Sequence, residues 1–299
     1  MQTSPPLFSV VVPTHRRIAF LQDALNSVRA QTLTDFECIV VGDDESERDL
    51  VTDVVARLGD KRFRYLYNGV QKGGNGSRNL GIENATGRLI AFLDDDDWWF
   101  PDKLEAHQAA HECTDASLVF SSARVAVEPD WRLRGTWHAP THIENSVEWM
   151  VGGRCPITST IVSVRRDALE RSGLFDPDLK SVQDWDMWLR VAETGRFATI
   201  KHPLAAFRQH AGDRTSRNPE RRRAGIDQIE RKWSDRYQIA GFVAGLRRRL
   251  AIESAMNQGA AGERLAGLRN GMSLIWQKPP VPAISQRLRE TLQLVRSIL

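Results

Sequence analysis

Two hydrophobic periods alternate through the first ninety-odd residues, and that alternation narrows the choice of fold more than any other feature. "LFSVVVPT", residues 7–14, is a short apolar, β-branched run ended by proline, the pattern of a buried strand. Ile18, Leu21, Leu25 and Val28 then recur at helical spacing. "FECIVVGDDES" (36–46) repeats the strand pattern, and Leu50, Val54, Val55 and Leu58 repeat the helical one. "RFRYLYN" (62–68) reads as a third strand. "KGGNGSRNLGIENATG" (72–87) supplies a glycine-rich turn, a helix and a stop at Gly87, and "RLIAFL" (88–93) a fourth strand. Four strand and helix alternations within so short a span predict an α/β fold with a doubly wound, mostly parallel sheet flanked by helices. Ligands of such sheets bind beyond the carboxyl ends of the strands. Those ends carry Pro13 and Thr14, then Asp43 and Asp44, then the glycine turn, then Asp94, Asp95, Asp96 and Asp97.

The remainder is less regular. "SLVFSSARVAV" (117–127) and "WRLRGTWHA" (131–139) suit sheet strands, and "PITSTIVSVRRDALERSGLFD" (156–176) reads as strand, helix and turn. "DWDMWLRVAETG" (184–195) is an amphipathic helix closed by Gly195. After "FRQHAGDRTS" (207–216) the pattern is mostly helical, with Pro279, Pro280 and Pro282 breaking the last two helices.

Charge divides the chain at the same place. From Arg217 onward there are 16 Lys or Arg against 7 Asp or Glu, a net +9, and before it 25 against 31, a net −6. The expected boundary lies near 216, between the α/β part of the chain and a basic helical region over 217–299. "ERRRAG" and "LRRRLA" in that region suit a solvated helix face, an anionic membrane surface or a homodimer contact. No recognised motif accompanies them, so nucleic acid is not an expected partner. No stretch reaches the roughly 18 apolar residues of a membrane span, and "MQTSPPLFSV" lacks the pattern of a secretory leader. Cys38, Cys113 and Cys155 form neither a disulfide framework nor a CxxC pair. The expected location is the cytoplasm, with peripheral contact at the inner face of the membrane.

Four aspartates at one strand end make a hard-oxygen site, suited to Mg²⁺ or Mn²⁺. Magnesium is usually held by one or two carboxylates plus substrate phosphates, so the surplus is free to meet ribose hydroxyls or to cap a helix. "PDKLEAH" would start that helix, with Pro101 at its first position, N1. The turn "GGNGSRN" matches neither the Walker nor the dinucleotide pattern. Joined with Arg78, it offers amides and a guanidinium to anionic oxygens.

In order and spacing, "SVVVPTHRR", "ECIVVGDDES", "GSRNLGIENATGRLIAFLDDDDWWFPDKLEAH" and "QDWDMWLR" resemble the family 2 glycosyltransferases, inverting enzymes with the GT-A fold. The resemblance covers about residues 7–216 and leaves out the helical tail; it implies a catalytic domain over 1–216, with a nucleotide-binding half about 1–115 and an acceptor half about 116–216. It implies that Pro13, Thr14, Asp43 and Asp44 hold the nucleotide base and ribose, Asp44 accepting from the imide N–H of uracil, since a carboxylate only accepts. Glu45 stands where the family usually has glycine. The family's DxD motif has two possible registers in "DDDD"; in the preferred one, Asp94 with Asp96 counted back from "PDKL", Asp96 is the implied metal ligand, Asp95 lies near the ribose, and Asp97 is left to cap a helix. Arg78, Asp94 and Asp95 complete the implied nucleotide-sugar set.

The family's "ED" reads "QD" here, which makes Asp184 the implied general base, Gln183 the replacement for glutamate and Asp186 the second choice. His210 falls where a histidine approaches the metal or diphosphate, with Arg208 or Arg214 to help. Trp99 or Trp185 is expected to touch sugar or acceptor, although core packing is the commoner use of a tryptophan. The implied cofactor is Mn²⁺ or Mg²⁺, and the implied donor a UDP-sugar. The implied acceptor is a saccharide, lipid-linked or other hydroxyl, in polysaccharide, glycolipid or other glycoconjugate synthesis. Glu45 and Gln183 keep open a non-catalytic nucleotide-sugar-binding module, and a glycoside hydrolase with paired carboxylates ranks last.

Overall fold

The computed structural model describes residues 4–70, 73–128, 130–156, 158–209 and 218–258. Strand β1 (Phe8–Thr14) is buried at every position, because it lies between two parallel neighbours. It pairs with β2 (Phe36–Gly42) from Phe8 opposite Phe36 to Thr14 opposite Gly42, and with β4 (Leu89–Phe92) from Phe8 opposite Leu89. Strand β3 (Phe63–Tyr67) adds to β2 in parallel. The crossovers are helices α1 (Ile18–Arg29), α2 (Arg48–Arg57) and α3 (Gly74–Glu83). This is the predicted α/β half, with its strand ends side by side. Helix α3 can approach the sheet closely because of Gly81, where a Cβ would stand 2.3 Å from Val11 Cγ1.

Past β4 the sheet becomes mixed. Strand β8 (Val162–Arg165) is antiparallel to β4 and to the first part of β6 (Leu118–Val127). Strand β7 (Arg132–Trp137) pairs with the second part of β6. Strand β9 (Phe197–Gln209) runs parallel to β6, and β5 (Trp98–Trp99) lies antiparallel on β9. The order is β3-β2-β1-β4-β8-β6-β9-β5. Six of these nine strands, β1 to β4, β6 and β9, point the same way. Strand β5 falls on the two tryptophans that follow the aspartate run. Helices α4 (Lys103–Thr114), α5 (Ser146–Val151), α6 (Arg166–Ser172) and α7 (Gln183–Ala192) complete this part.

The described residues fall into two compact units, one of 4–150, 154–178 and 183–209, the other of 151–153, 179–182 and 218–258. In the second, helix α8 (Pro219–Trp233) starts at Asn218, whose side chain accepts from the Arg221 N–H at 2.9 Å. Helix α9 (Ala240–Gln258) packs against it. Ile226, Ile229, Trp233, Val243 and Leu250 are buried in this unit. Arg247 donates to Asp227 at 2.8 Å and to Glu230 at 2.6 Å, and Arg222 pairs with Glu253. Part of the tail's basic charge is thus spent within the unit. The expected boundary near 216 and the prolines at 279, 280 and 282 lie outside the described residues. No helix among those described is long and apolar enough to cross a membrane.

One buried polar chain joins α4 to β8. Lys103 is fully buried, its Nζ 3.0 Å from His107 Nε2. His107 Nδ1 is 2.7 Å from Ser163 Oγ, which is 2.9 Å from His111 Nε2. His111 Nδ1 is 3.0 Å from the Ala116 carbonyl. A carbonyl only accepts, so His111 Nδ1 carries hydrogen; Ser163 then donates to His111, His107 to Ser163, and Lys103 to His107. Both imidazoles are neutral in that arrangement. Burial agrees, pushing Lys103 well below its ordinary value, His107 likewise, and His111 down to about 4.

A lysine depressed in the folded state takes up a proton on unfolding, so its contribution to stability grows as pH rises toward the unfolded lysine value. Between pH 7 and 9, denaturant unfolding of the wild type is expected to gain stability relative to Lys103→Met by up to about 1.4 kcal/mol per pH unit. Parallel pH dependences for the two proteins would show that the lysine is charged in the fold.

Candidate active site

The strand ends are tied together before any ligand is considered. Thr14 Oγ1 donates to Asp95 Oδ2 at 2.9 Å and the His15 N–H reaches the same oxygen at 3.2 Å, joining the end of β1 to the turn after β4. Asp43, buried beyond β2, accepts from His15 Nδ1 at 2.7 Å and from the Gly73 N–H at the start of α3. Gly73 has φ +95°, in the left-handed region where glycine carries no penalty. Asp44 opens a short 3₁₀ turn (Glu45–Glu47), accepting from Ser46 N–H at 2.9 Å and Ser46 Oγ at 2.7 Å, with Arg16 Nε on its other oxygen. Those donors, Ser46 foremost, hold its carboxyl below the usual carboxylate range. Pro13, Thr14, Asp43 and Asp44 therefore line two neighbouring strand ends, as the in-register pairing of β1 and β2 requires.

The four aspartates have four different environments. Asp94 is half-buried and accepts from Arg78 Nη2 at 2.6 Å and Thr158 Oγ1 at 3.0 Å. Asp95 is buried; its Oδ1 lies 3.0 Å from Arg17 Nη1, and the same nitrogen is 3.2 Å from Asp96 Oδ2. Burial pushes the Asp95 carboxyl up to about 6, with adjacent Asp96 adding to the rise and Arg17 opposing it. Asp97 accepts from Thr160 Oγ1 at 2.6 Å and from the Arg208 N–H at 3.0 Å. Burial, then the charges of Asp96 and Asp94, raise it well above the ordinary carboxylate value.

This corrects the reading of Asp97 as a cap. Helix α4 begins at Lys103, two residues after Pro101, and is preceded by Asp102. Asp97 instead ties the turn to β9 and to Thr160.

Arg78 stands at the centre of the charges. Its side chain is buried, pairs with Asp94, and lies 5.7 Å from the Phe175 ring. Asp94, Asp184 and Asp95 all hold it charged against burial. Asp184 lies inside the first turn of α7 and accepts from Ser159 Oγ at 2.9 Å. Burial raises the Asp184 carboxyl and Asp94 adds to the rise, while Arg78 and Ser159 oppose it. Asp186, the second choice for base, is fully buried and paired with Arg190 at 3.0 Å on its own helix.

Other expectations change. Trp99 and Trp185 are each 2% exposed, with Nε1 donating to backbone carbonyls of Thr160 at 2.8 Å and Met150 at 3.0 Å. Both rings are buried in this structure and pack in the core around α4 and α7. Arg208, a candidate for the diphosphate, is buried beside the rings of Phe20, Trp98 and Trp131, and donates to Asp23 at 2.6 Å. His210 and Arg214 lie outside the described residues. Among the described residues, no group of three or more His, Cys, Asp or Glu is arranged to hold a metal. Two carboxylate oxygens, of Asp95 and Asp96, do converge on the cationic Arg17 Nη1.

Arg17, Thr158, Ser159 and Thr160 belong to this site and escaped the sequence reading. The one visible signal is three consecutive hydroxyls in "TST", yet their carboxylate partners lie 64, 25 and 63 residues away.

The sequence profile described as Glycosyl transferase family 2 matches residues 9–173, more than half of the chain. An uncharacterized glycosyltransferase of Rickettsia felis is 29% identical over 226 residues, which make up 74% of this chain and 36% of that protein. The chain thus spans about a third of that relative's length. The Escherichia coli UDP-Glc:alpha-D-GlcNAc-diphosphoundecaprenol beta-1,3-glucosyltransferase WfaP is 26% identical over 210 residues, covering 69% of this chain and 78% of that one. The mannosyltransferase PcManGT of Pyrobaculum calidifontis, solved with GDP-Man and Mn²⁺, shares the fold with a TM-score of 0.61 at 16% identity, covering 99% of this chain and 86% of that one.

The tie made by Asp97 has a measurable consequence. Asp97→Ala strands the Thr160 hydroxyl and the Arg208 amide, at a cost of about 1–3 kcal/mol for each buried group left unsatisfied. Chemical denaturation should show a loss of that order for Asp97→Ala and a smaller one for Asp97→Asn, whose amide oxygen still accepts. A helix cap would cost about 1 kcal/mol and would not involve Thr160 or Arg208.

Proposed function

The chain belongs to glycosyl transferase family 2, and from that premise we propose that it moves a sugar from a nucleoside-diphosphate donor, a UDP-sugar, to an acceptor hydroxyl with inversion at the anomeric carbon. One observation carries the reading: buried Arg78 pairs with Asp94 at 2.6 Å and holds its charge under the influence of both Asp94 and Asp184. Donor-side and acceptor-side carboxylates thus share one cationic centre.

Base and ribose would meet Pro13, Thr14, Asp43 and Asp44, with Asp95 toward the ribose. Asp96 would hold the divalent cation, with His210 as a further proposed ligand. The convergence of Asp95 and Asp96 on Arg17 is the observation that fits a cation there, since such ions need only one or two carboxylates beside substrate phosphates. When bound, Mn²⁺ or Mg²⁺ supplies charge to the two phosphates and to the diphosphate that leaves. Asp184 takes the proton of the acceptor hydroxyl. The freed oxygen attacks the anomeric carbon from the face opposite the diphosphate, and the bond to the diphosphate breaks with its electron pair on the leaving oxygen.

WfaP, by its name, uses UDP-Glc and a diphosphoundecaprenol-linked acceptor and makes a β linkage. That supports a uridine donor, a lipid-linked acceptor and inversion of an α-configured donor. The GDP-Man and Mn²⁺ of PcManGT support the metal and make the base the first property to test. The basic tail suits peripheral contact with the inner, anionic face of a membrane that carries such an acceptor, or contact with a second copy of the chain.

Asp184→Asn is expected to lower kcat about 10² to 10⁴-fold, the usual range for loss of a general base. Because the Asp184 carboxyl is raised in the fold, activity should climb as it loses its proton, with the acidic limb above the ordinary carboxylate value. Unimpaired turnover by the variant would remove the proposed base.

Thermal shifts with UDP-, GDP- and dTDP-sugars, with and without Mn²⁺, test donor and metal together, since a ligand of the native state stabilises it. The largest shift should come from a UDP-sugar with Mn²⁺, and Asp96→Ala should lose the increment due to Mn²⁺. A GDP-sugar shifting most would overturn the uridine assignment.

A further inference from the structure

We propose that Ser159 is a positioning residue for Asp184, and that Thr158, Ser159 and Thr160 form one brace setting the donor-side carboxylates and the base in a fixed relation. The proposal rests on the reading of Asp184 as the base. Three consecutive hydroxyls each donate to a different carboxylate: Thr158 to Asp94 at 3.0 Å, Ser159 to Asp184 at 2.9 Å and Thr160 to Asp97 at 2.6 Å. Wherever the carboxylate is ionised it only accepts, which commits the hydroxyl hydrogen in direction.

The brace is itself held. The Thr158 side chain accepts from the Thr160 N–H at 3.3 Å, closing the 3₁₀ turn Ser159–Ile161. Thr160 Oγ1 also accepts from the Asp94 N–H at 3.2 Å, and its carbonyl accepts from Trp99 Nε1 at 2.8 Å. Ser159 and Thr160 are fully buried. The turn runs straight into β8, which is paired on both edges, to β4 and to β6. The chain has little freedom there.

For Asp184 the consequence is specific. Among the described residues its one hydrogen bond is on Oδ1, from Ser159, which sets the rotation of the carboxylate and leaves Oδ2 for an acceptor hydroxyl. The same bond favours the ionised form against burial. Ser159 thus orients the base and keeps it deprotonated in the pH range where it works, without touching substrate itself. Thr158 does the corresponding work for Asp94 on the donor side.

The test compares full-length Ser159→Ala, Ser159→Thr, Thr158→Ala and Asp184→Asn. Each is followed by kcat and KM against pH with a UDP-sugar, by calorimetric UDP affinity in Mn²⁺, and by thermal melting. Ser159→Ala should keep UDP affinity and lose about 10 to 100-fold in kcat, the order expected when a reacting group is misplaced by about 1 Å. Its acidic limb should move to higher pH, and Ser159→Thr should restore both. Thr158→Ala should chiefly weaken donor binding.

A Ser159→Ala protein with wild-type kcat and an unmoved acidic limb overturns the proposal. So does equal loss of UDP affinity and kcat together with the melting temperature, which marks a merely structural serine. Full activity in Asp184→Asn overturns the base assignment on which the proposal rests. An inactive Asp184→Asn beside an unaffected Ser159→Ala overturns the positioning role alone.

Discussion

Gathering carboxylates at one place is the constraint around which the rest of this structure is arranged. Asp94, Asp95, Asp96 and Asp97 are consecutive, and Asp184 acts on the same buried arginine. Like charges so placed raise one another's proton affinity and oppose the fold. Two arginines and a set of hydroxyl and amide donors offset that repulsion. Arg78 pairs with Asp94, Arg17 bridges Asp95 and Asp96, and Thr14, Thr158, Ser159 and Thr160 each contribute a hydroxyl. The compensation is local to each carboxylate, so the aspartates are chemically distinct even though they are neighbours in the chain.

The sheet makes this arrangement available. Strands β1 and β2 end together and β4 ends opposite Val11, so that the turn after β4 runs alongside the end of β1, which brings Thr14, Asp43 and the aspartate turn together. Strand β8 enters the sheet in the opposite sense, beside β4. An antiparallel neighbour begins where its partner ends, so the start of β8 delivers the hydroxyl run directly to the end of β4. Strand β9 then closes on the other side, where its Arg208 amide meets Asp97. The switch from parallel to antiparallel pairing is thus the feature that completes the site.

The first four strands and their crossover helices were largely legible because their signals are local. Buried parallel strands read as apolar runs, and crossover helices show their spacing within a dozen residues. Asp97 was misjudged as a cap, and the burial of Trp99 and Trp185 was not visible, for one shared reason. A charged residue before a helix pattern reads as a cap, and a tryptophan beside a catalytic motif reads as a sugar platform. Burial decides both, and it depends on segments distant in the chain, as the bonds of Asp97 to Thr160 and of Trp99 to the Thr160 carbonyl show.

By itself the sequence determined the strand and helix alternation, the place of the acidic strand ends, the family, and Asp184 as the candidate base. Those rest on periodicity and on motifs carried by contiguous residues. Only the tertiary structure decided which donor meets which carboxylate: Arg17 on Asp95 and Asp96, Arg78 on Asp94, and the hydroxyls of residues 158–160 on three separate aspartates. The physical reason is that hydrogen-bond partners are chosen by proximity within about 3 Å, and proximity between segments so far apart in the chain is set by sheet order and strand direction.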